Sequence, residues 1–182
     1  GIHHAKHYSN ISTVNLVGVY DLNFKRNSFV ARRYKTSAYT DLTKLINNVD
    51  ALSIVAPTPY HFEIAKLCIE NKKHVFIEKP ITVKLEEANT LIKLSRKNSV
   101  IIQVGHIERL NPALIALKKY DIDPQFIEIQ RLAPYTSRGS DVPVVLDKMI
   151  HDIDIVLSLV KSDVASVEAT GMSIITNSLD IA

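Results

Sequence analysis

The run His74-Val75-Phe76-Ile77-Glu78-Lys79-Pro80 constrains the fold of this chain more than any other stretch. Val75 to Ile77 is continuously apolar rather than alternating, the pattern of a strand buried on both faces of a parallel sheet. It stops at a carboxylate, an ammonium and a proline. Open α/β sheets carry their chemistry beyond the carboxyl ends of their strands, so Lys79 stands where a functional group would stand. Pro80 fixes its own φ and keeps Lys79 out of the helical region. A strand-end salt bridge followed by a proline turn would read identically, so the rest of the chain bears on the choice.

That strand belongs to a series. Residues 14–20, closing on Asp21, and residues 50–56, closing on Pro57-Thr58-Pro59, read as strands before it; residues 100–104, ending at Gly105, read as one after it. Helical spacing fills the intervals: residues 1–10, where Ile2, Ala5 and Tyr8 recur, then 23–33, 41–47, 61–70 and 82–97. Strands alternating with helices in this way imply a doubly wound parallel sheet with right-handed crossovers. A short helix over 111–120 carries Pro112 in its first turn. The rhythm then changes. Residues 125–132 alternate apolar and polar side chains, as a half-buried antiparallel strand does; 144–160 reads as an amphipathic helix and 164–175 as a long strand. The expected organisation is one α/β domain over 1–120 and the start of an α+β domain, with an open and mainly antiparallel sheet, over 121–182.

Composition excludes several function classes. An apolar content of 46% supports a packed core and argues against disorder. The net charge of +3 comes from Lys and Arg dispersed among acids, with no basic block and no Trp, which describes a solvated surface rather than a nucleic-acid interface. No apolar run reaches membrane-spanning length. Cys68 is the single cysteine, so it forms no internal disulfide and reads as a small buried apolar residue in a reducing compartment. The expected setting is cytoplasmic, with no leader peptide at the start.

Two constellations could carry chemistry. Asp21 ends a strand twenty residues after Gly1; in a dinucleotide-binding unit a carboxylate there accepts hydrogen bonds from the ribose hydroxyls and disfavours a 2′-phosphate. That favours NAD, although Lys25 and Arg26 leave NADP open, and a carboxylate capping the next helix would read the same. Asp147 and His151 stand four residues apart on one helical face. A histidine beside a carboxylate can serve as an acid or base near neutral pH, but Met149, Ile150 and Ile153 make a satisfied core histidine an equal reading. His3 and His7 share a face with no acidic or Cys partner nearby, so capping or exposed histidines are expected there and no metal site.

Together these pieces resemble the glucose–fructose oxidoreductase / inositol dehydrogenase / rhizopine catabolism (Gfo/Idh/MocA) family. The residues that carry the resemblance are Val55-Ala56-Pro57-Thr58-Pro59-Tyr60-His61, the run from His74 to Pro80, Gly105-His106 with Arg109 and Asn111-Pro112, and Asp147 with His151. It implies a Rossmann-type fold and an NAD-linked oxidoreductase that removes hydride from a sugar-ring carbinol carbon. It gives Lys79 a place beside the nicotinamide and substrate hydroxyl, and Asp147 and His151 a place across the substrate, with His151 or Lys79 taking the proton. Glu78 and Pro80 would shape the pocket; Ala56, Pro57 and His61 would line the cofactor cleft. The segment from Arg131 through Arg138 to Asp147 is similar to the branch acting on nucleotide-linked amino sugars, such as UDP-N-acetylglucosamine 3-dehydrogenases. There Arg131 and Arg138, with Arg109, would meet substrate, or form surface ion pairs.

The resemblance covers the middle of a longer enzyme. Family members open with a strand running into G-x-G-x-x-G, of which Gly1 would be the third glycine, and their second domain is a large sheet used for homo-oligomerisation. Weak NAD binding by the chain as given is therefore an expectation, and a non-catalytic remnant or interaction module is the rival reading. A metal-dependent hydrolase using His3, His7 and His151 is a third.

Overall fold

In the computed structural model, residues 1–134 and 142–182 are described. The first helix, α1 (Ile2–Tyr8), leads to strand β1 (Gly18–Tyr20), helix α2 (Phe24–Arg33) and strand β2 (Ser37–Tyr39). Helix α3 (Leu42–Asn47), strand β3 (Ala51–Ile54), helix α4 (His61–Glu70) and strand β4 (His74–Ile77) follow, then helix α5 (Leu85–Asn98) and strand β5 (Ile102–Val104). Every strand pairing is parallel, β1 with β2 and β3-β4-β5 in that order. The two groups are not hydrogen-bonded to each other among the described residues.

Local chemistry explains the helix starts. The side chains of Asn23, Asp41 and Asn111 accept from the backbone N–H of Arg26, Thr43 and Ala113, at 3.1, 2.8 and 3.0 Å, and each opens the helix that follows it. The core lies on β3, β4 and β5. Ile54, Val75 and Ile77 from the strands meet Ala65, Cys68 and Ile69 of α4, Leu91 of α5 and Ile46 of α3. On α4, His61, Ala65, Cys68 and Ile69 fall at helical spacing and form its buried face. Each fully buried aliphatic side chain stabilises the fold by about 1.5–3 kcal/mol. Cys68 is wholly buried, and burial raises its thiol to about 12, so it is an inert packing residue.

The later elements depart from the sequence reading. A 3-10 turn at Ile107–Leu110 precedes helix α6 (Pro112–Leu117); a π-helical turn at Val145–Met149 runs into helix α7 (Ile150–Leu159). The strands expected at 125–132 and 164–175 do not form among the described residues. One antiparallel bridge, Met172 to Ile181, is present instead. An alternating pattern becomes a strand only when a neighbour takes its backbone groups, and Phe126 and Ile127 instead share a groove with Val156 of α7 and Val160 just after it. The strand β2, in contrast, was not anticipated. No helix among the described residues is long and apolar enough to cross a membrane.

Candidate active site

Parallel pairing in register gathers the candidate residues. Ile54 lies opposite Ile77, and Ile77 opposite Val104, so β3, β4 and β5 end side by side. The ladder continues one step beyond them: Glu78 N–H donates to the Ile54 carbonyl at 3.0 Å, and Gly105 N–H to the Ile77 carbonyl at 2.8 Å. Glu78-Lys79-Pro80 is thereby set between Val55-Ala56 on one side and Gly105-His106 on the other. The Lys79–Pro80 peptide is cis.

Lys79 leads away from the sheet to the turn before α7. Its Nζ donates to the Asp147 carbonyl at 2.6 Å and to Asp147 Oδ1 at 2.9 Å. Lys148 Nζ stands 3.1 Å from the other carboxylate oxygen. Burial raises the Asp147 carboxyl, but the hydrogen bonds from Lys79 and Lys148 outweigh it and hold the group below the usual carboxylate range. An ammonium has three donors; Asp147 takes two and leaves one for a further acceptor.

His151 lies one helical turn further on. Burial lowers its pKa, and the positive charge of Lys79 lowers it again. Its Nδ1 is buried without a hydrogen-bond partner among the described residues. The result is a neutral imidazole beside a cation, an arrangement suited to accepting a proton.

Other expected site residues turn out to be engaged within the protein. The ring nitrogens of His61 lie 2.9 Å from the Pro80 carbonyl and 2.8 Å from the Ala56 carbonyl, and the side chain is 1% exposed. His61 therefore does not line a cleft; it ties the β3 and β4 loops to the first turn of α4. Arg109 gives its fork to Asp154, with Nε to Oδ2 at 2.6 Å and Nη2 to Oδ1 at 2.5 Å. Arg131 does the same with Asp152, at 2.7 and 2.6 Å. Both arginines thus form ion pairs, the alternative expectation, each with a carboxylate in the geometry a phosphate would use. Arg138 lies outside the described residues.

At the cofactor edge, Asp21 ends β1. Its Oδ1 accepts the Asn23 N–H at 2.7 Å while Oδ2 stands 3.8 Å from Arg26 Nε. Asp21 does not itself cap α2, whose N-cap is Asn23; it holds the backbone of that cap with one oxygen and stands near Arg26 with the other. Gly1 is exposed and its carbonyl accepts from Ala5 N–H in the first turn of α1. Among the described residues no group of three His, Cys, Asp or Glu stands ready to hold a metal ion.

Sequence reasoning missed His4. Its Nε2 stands 2.8 Å from Glu78 Oε1, its Nδ1 3.2 Å from Ser53 Oγ, and its ring packs edge-on against Phe76. Tyr8, four residues on, reaches the same Ser53 oxygen at 2.6 Å. The hydrogen bond from His4 lowers the Glu78 carboxyl. The spacing of His4 and Tyr8 on one face of α1 was the available signal.

A family model described as the oxidoreductase family with an NAD-binding Rossmann fold (GFO_IDH_MocA) matches residues 1–106. The chain belongs to that family. UDP-N-acetylglucosamine 3-dehydrogenase from Acidithiobacillus ferrooxidans is 37% identical over 183 residues, taking in 100% of this chain and 58% of that protein. The solved structure of that enzyme matches with a TM-score of 0.91 and 36% identity, over 98% of this chain and 59% of that one. The scyllo-inositol 2-dehydrogenase (NAD(+)) of Bacillus subtilis is 30% identical over 185 residues, 94% of this chain and 54% of that protein. This family member thus spans between 54% and 59% of the length of these relatives.

The residues at the strand ends fit a dinucleotide chemically. Asp21 places a half-exposed carboxylate just beyond β1, with acceptor capacity for ribose hydroxyls beside its bond to the Asn23 N–H. Ala56 and Pro57 give a partly exposed apolar wall for a flat ring, and Lys79 holds a spare donor nearby.

Proposed function

We propose that this Gfo/Idh/MocA chain carries the cofactor unit and catalytic residues of an NAD-dependent dehydrogenase acting on a ring hydroxyl of a sugar or sugar nucleotide. The observation that supports the reading is the pairing of Lys79 with Asp147 beyond the end of β4, one helical turn from His151, whose pKa is lowered by burial and by Lys79. A bound NAD would supply the hydride acceptor for the carbinol carbon.

The chain's own residues do the rest. Asp147 fixes the Lys79 ammonium, whose third N–H points its charge at the substrate oxygen and stabilises the developing alkoxide. A ring nitrogen of His151 takes the hydroxyl proton as the carbonyl forms. Asp21 Oδ2 holds the ribose end and disfavours a 2′-phosphate, which supports NAD over NADP. The relative from Acidithiobacillus ferrooxidans supports a UDP-linked amino sugar as substrate, and the inositol dehydrogenase supports the wider class of ring hydroxyls. Residues 1–120 would form the cofactor unit and 121–182 the start of a substrate unit through which copies of the chain associate, in a cytoplasmic setting.

Titration calorimetry with NAD and NADP, followed by NADH formation with UDP-N-acetylglucosamine and with inositols, tests this. Tighter NAD than NADP, narrowed by Asp21→Ala, is the expected result. Absence of NAD binding, or binding without turnover of any ring alcohol, would favour a non-catalytic member of the family.

A further inference from the structure

The helix bearing His151 touches the ends of two strands through two separate ion pairs. Before it, Asp147 receives Lys79 from the end of β4. Within it, Asp154 receives both prongs of Arg109, which stands on the 3-10 turn directly after β5. His151 falls between the two. It is near enough to Lys79 for that charge to act on it, and near enough to Asp154 to act on that carboxyl in turn.

The two pairs differ in kind. Lys79 is a point charge on a flexible stem, whereas the Arg109 fork presents two parallel N–H donors to two oxygens and so fixes orientation as well as distance. Asp154 is 8% exposed although most of Arg109 is not buried, so the carboxylate has left water largely on the strength of this one partner. His106 contributes only at longer range, with Nδ1 3.8 Å from Asp154 Oδ1. A buried carboxylate that loses its partner is strongly unfavourable, which makes the seat all-or-none.

We propose that Arg109 and Asp154 are positioning residues, a rigid mount that fixes the rotation and height of α7 on the end of β5 and so aims His151 at the space beside Lys79. The catalytic consequence rests on the dehydrogenase reading above; the mount itself does not. Neither residue touches the reacting atoms, and both act through the helix they hold.

The test uses Asp154→Asn, Arg109→Gln, the double variant and Arg109→Lys, each in the full chain. Amide hydrogen exchange is followed across α7 and across α4 as an internal reference. In the single variants α7 should exchange about tenfold faster or more, with α4 unchanged, and the double variant should be no worse than either single one. Arg109→Lys, which keeps the charge and loses the fork, should fall between. In NAD-dependent turnover kcat should drop about tenfold while the KM for NAD stays within about twofold. Unchanged α7 exchange overturns the mount, and so does a loosened α7 with unaltered kcat. If Asp154→Asn proves too unstable to study, Arg109→Gln removes the same contact from the exposed side. Loosening of α7 in a chain without turnover supports the mount and counts against the dehydrogenase reading alone.

Discussion

His4 Nε2 stands 2.8 Å from Glu78 Oε1, so a residue in the first turn of α1 controls the carboxylate next to Lys79. Gly105 completes the contact from the other side. A Cβ there would come within 3.1 Å of Glu78 Oε2 and 3.3 Å of the Phe76 ring. His4→Phe keeps the ring and removes both hydrogen bonds. It should cost about 1–3 kcal/mol and let Glu78 titrate nearer its ordinary value of 4.5. Carboxyl NMR titration measures the second effect; an unmoved Glu78 would mean that other groups hold it low.

Lys79→Ala should reduce turnover by about a hundredfold or more, as the loss of a single donor to a developing oxyanion does. The dissociation constant for NAD should change by less than about threefold, because the assigned role is exercised in the transition state. A large loss of NAD affinity with normal turnover would assign Lys79 to cofactor binding instead.

His61→Ala should destabilise the fold by about 2–5 kcal/mol, combining a buried cavity with the loss of the ring nitrogen contacts to two carbonyls. Those carbonyls belong to Ala56 and Pro80, so the β3 and β4 loops should loosen together. Chemical denaturation gives the first quantity. A loss below about 1 kcal/mol would show that the loops hold without it.

Stability should decline in two steps on acidification. His151 lies below its ordinary value near 6.5, through burial first and Lys79 second. The folded chain therefore binds that proton less readily than the unfolded chain, and stability falls as the pH drops below about 6.5. Asp147 and Asp154 are held below their ordinary value of 3.8. Their contribution is complete above that value and disappears as the pH falls through the folded ones. Urea midpoints across the pH range should show both steps, and His151→Gln should remove the upper one only. An upper step that persists belongs to another group.

The buried parallel framework was legible because its signals are local. α4 carries the bounds expected from helical periodicity, and β4 holds the continuous apolar run from Val75 to Ile77. β2 was not legible. Ser37, Ala38 and Tyr39 are short and mostly exposed, and their order comes from elsewhere: Asn27 Nδ2 donates to the Tyr39 carbonyl at 2.6 Å, and the Tyr39 ring crosses Gly18 so closely that a Cβ there would sit 2.3 Å away. The arginines show the opposite limit. Arg109 and Arg131 look alike as anion binders in sequence, but the partner that decides their role, Asp154 or Asp152, lies 45 or 21 residues away. Lys79, Asp147 and His151 were gathered only by family resemblance, since no periodicity connects a strand end to a helix so far along the chain.

The turn at Val145–Met149 is wider than an α-helical one, and this sets the phase of everything after it. A π-helical turn accommodates a residue that an α-helix would not, and each residue in an α-helix turns the chain by about 100°. Deleting one residue between Val145 and Met149 would therefore swing His151 and Asp154 together by roughly a quarter-turn round the helix axis, away from Lys79 and Arg109. Substitutions in that stretch change what the turn is made of; a change in its length would change where the helix faces.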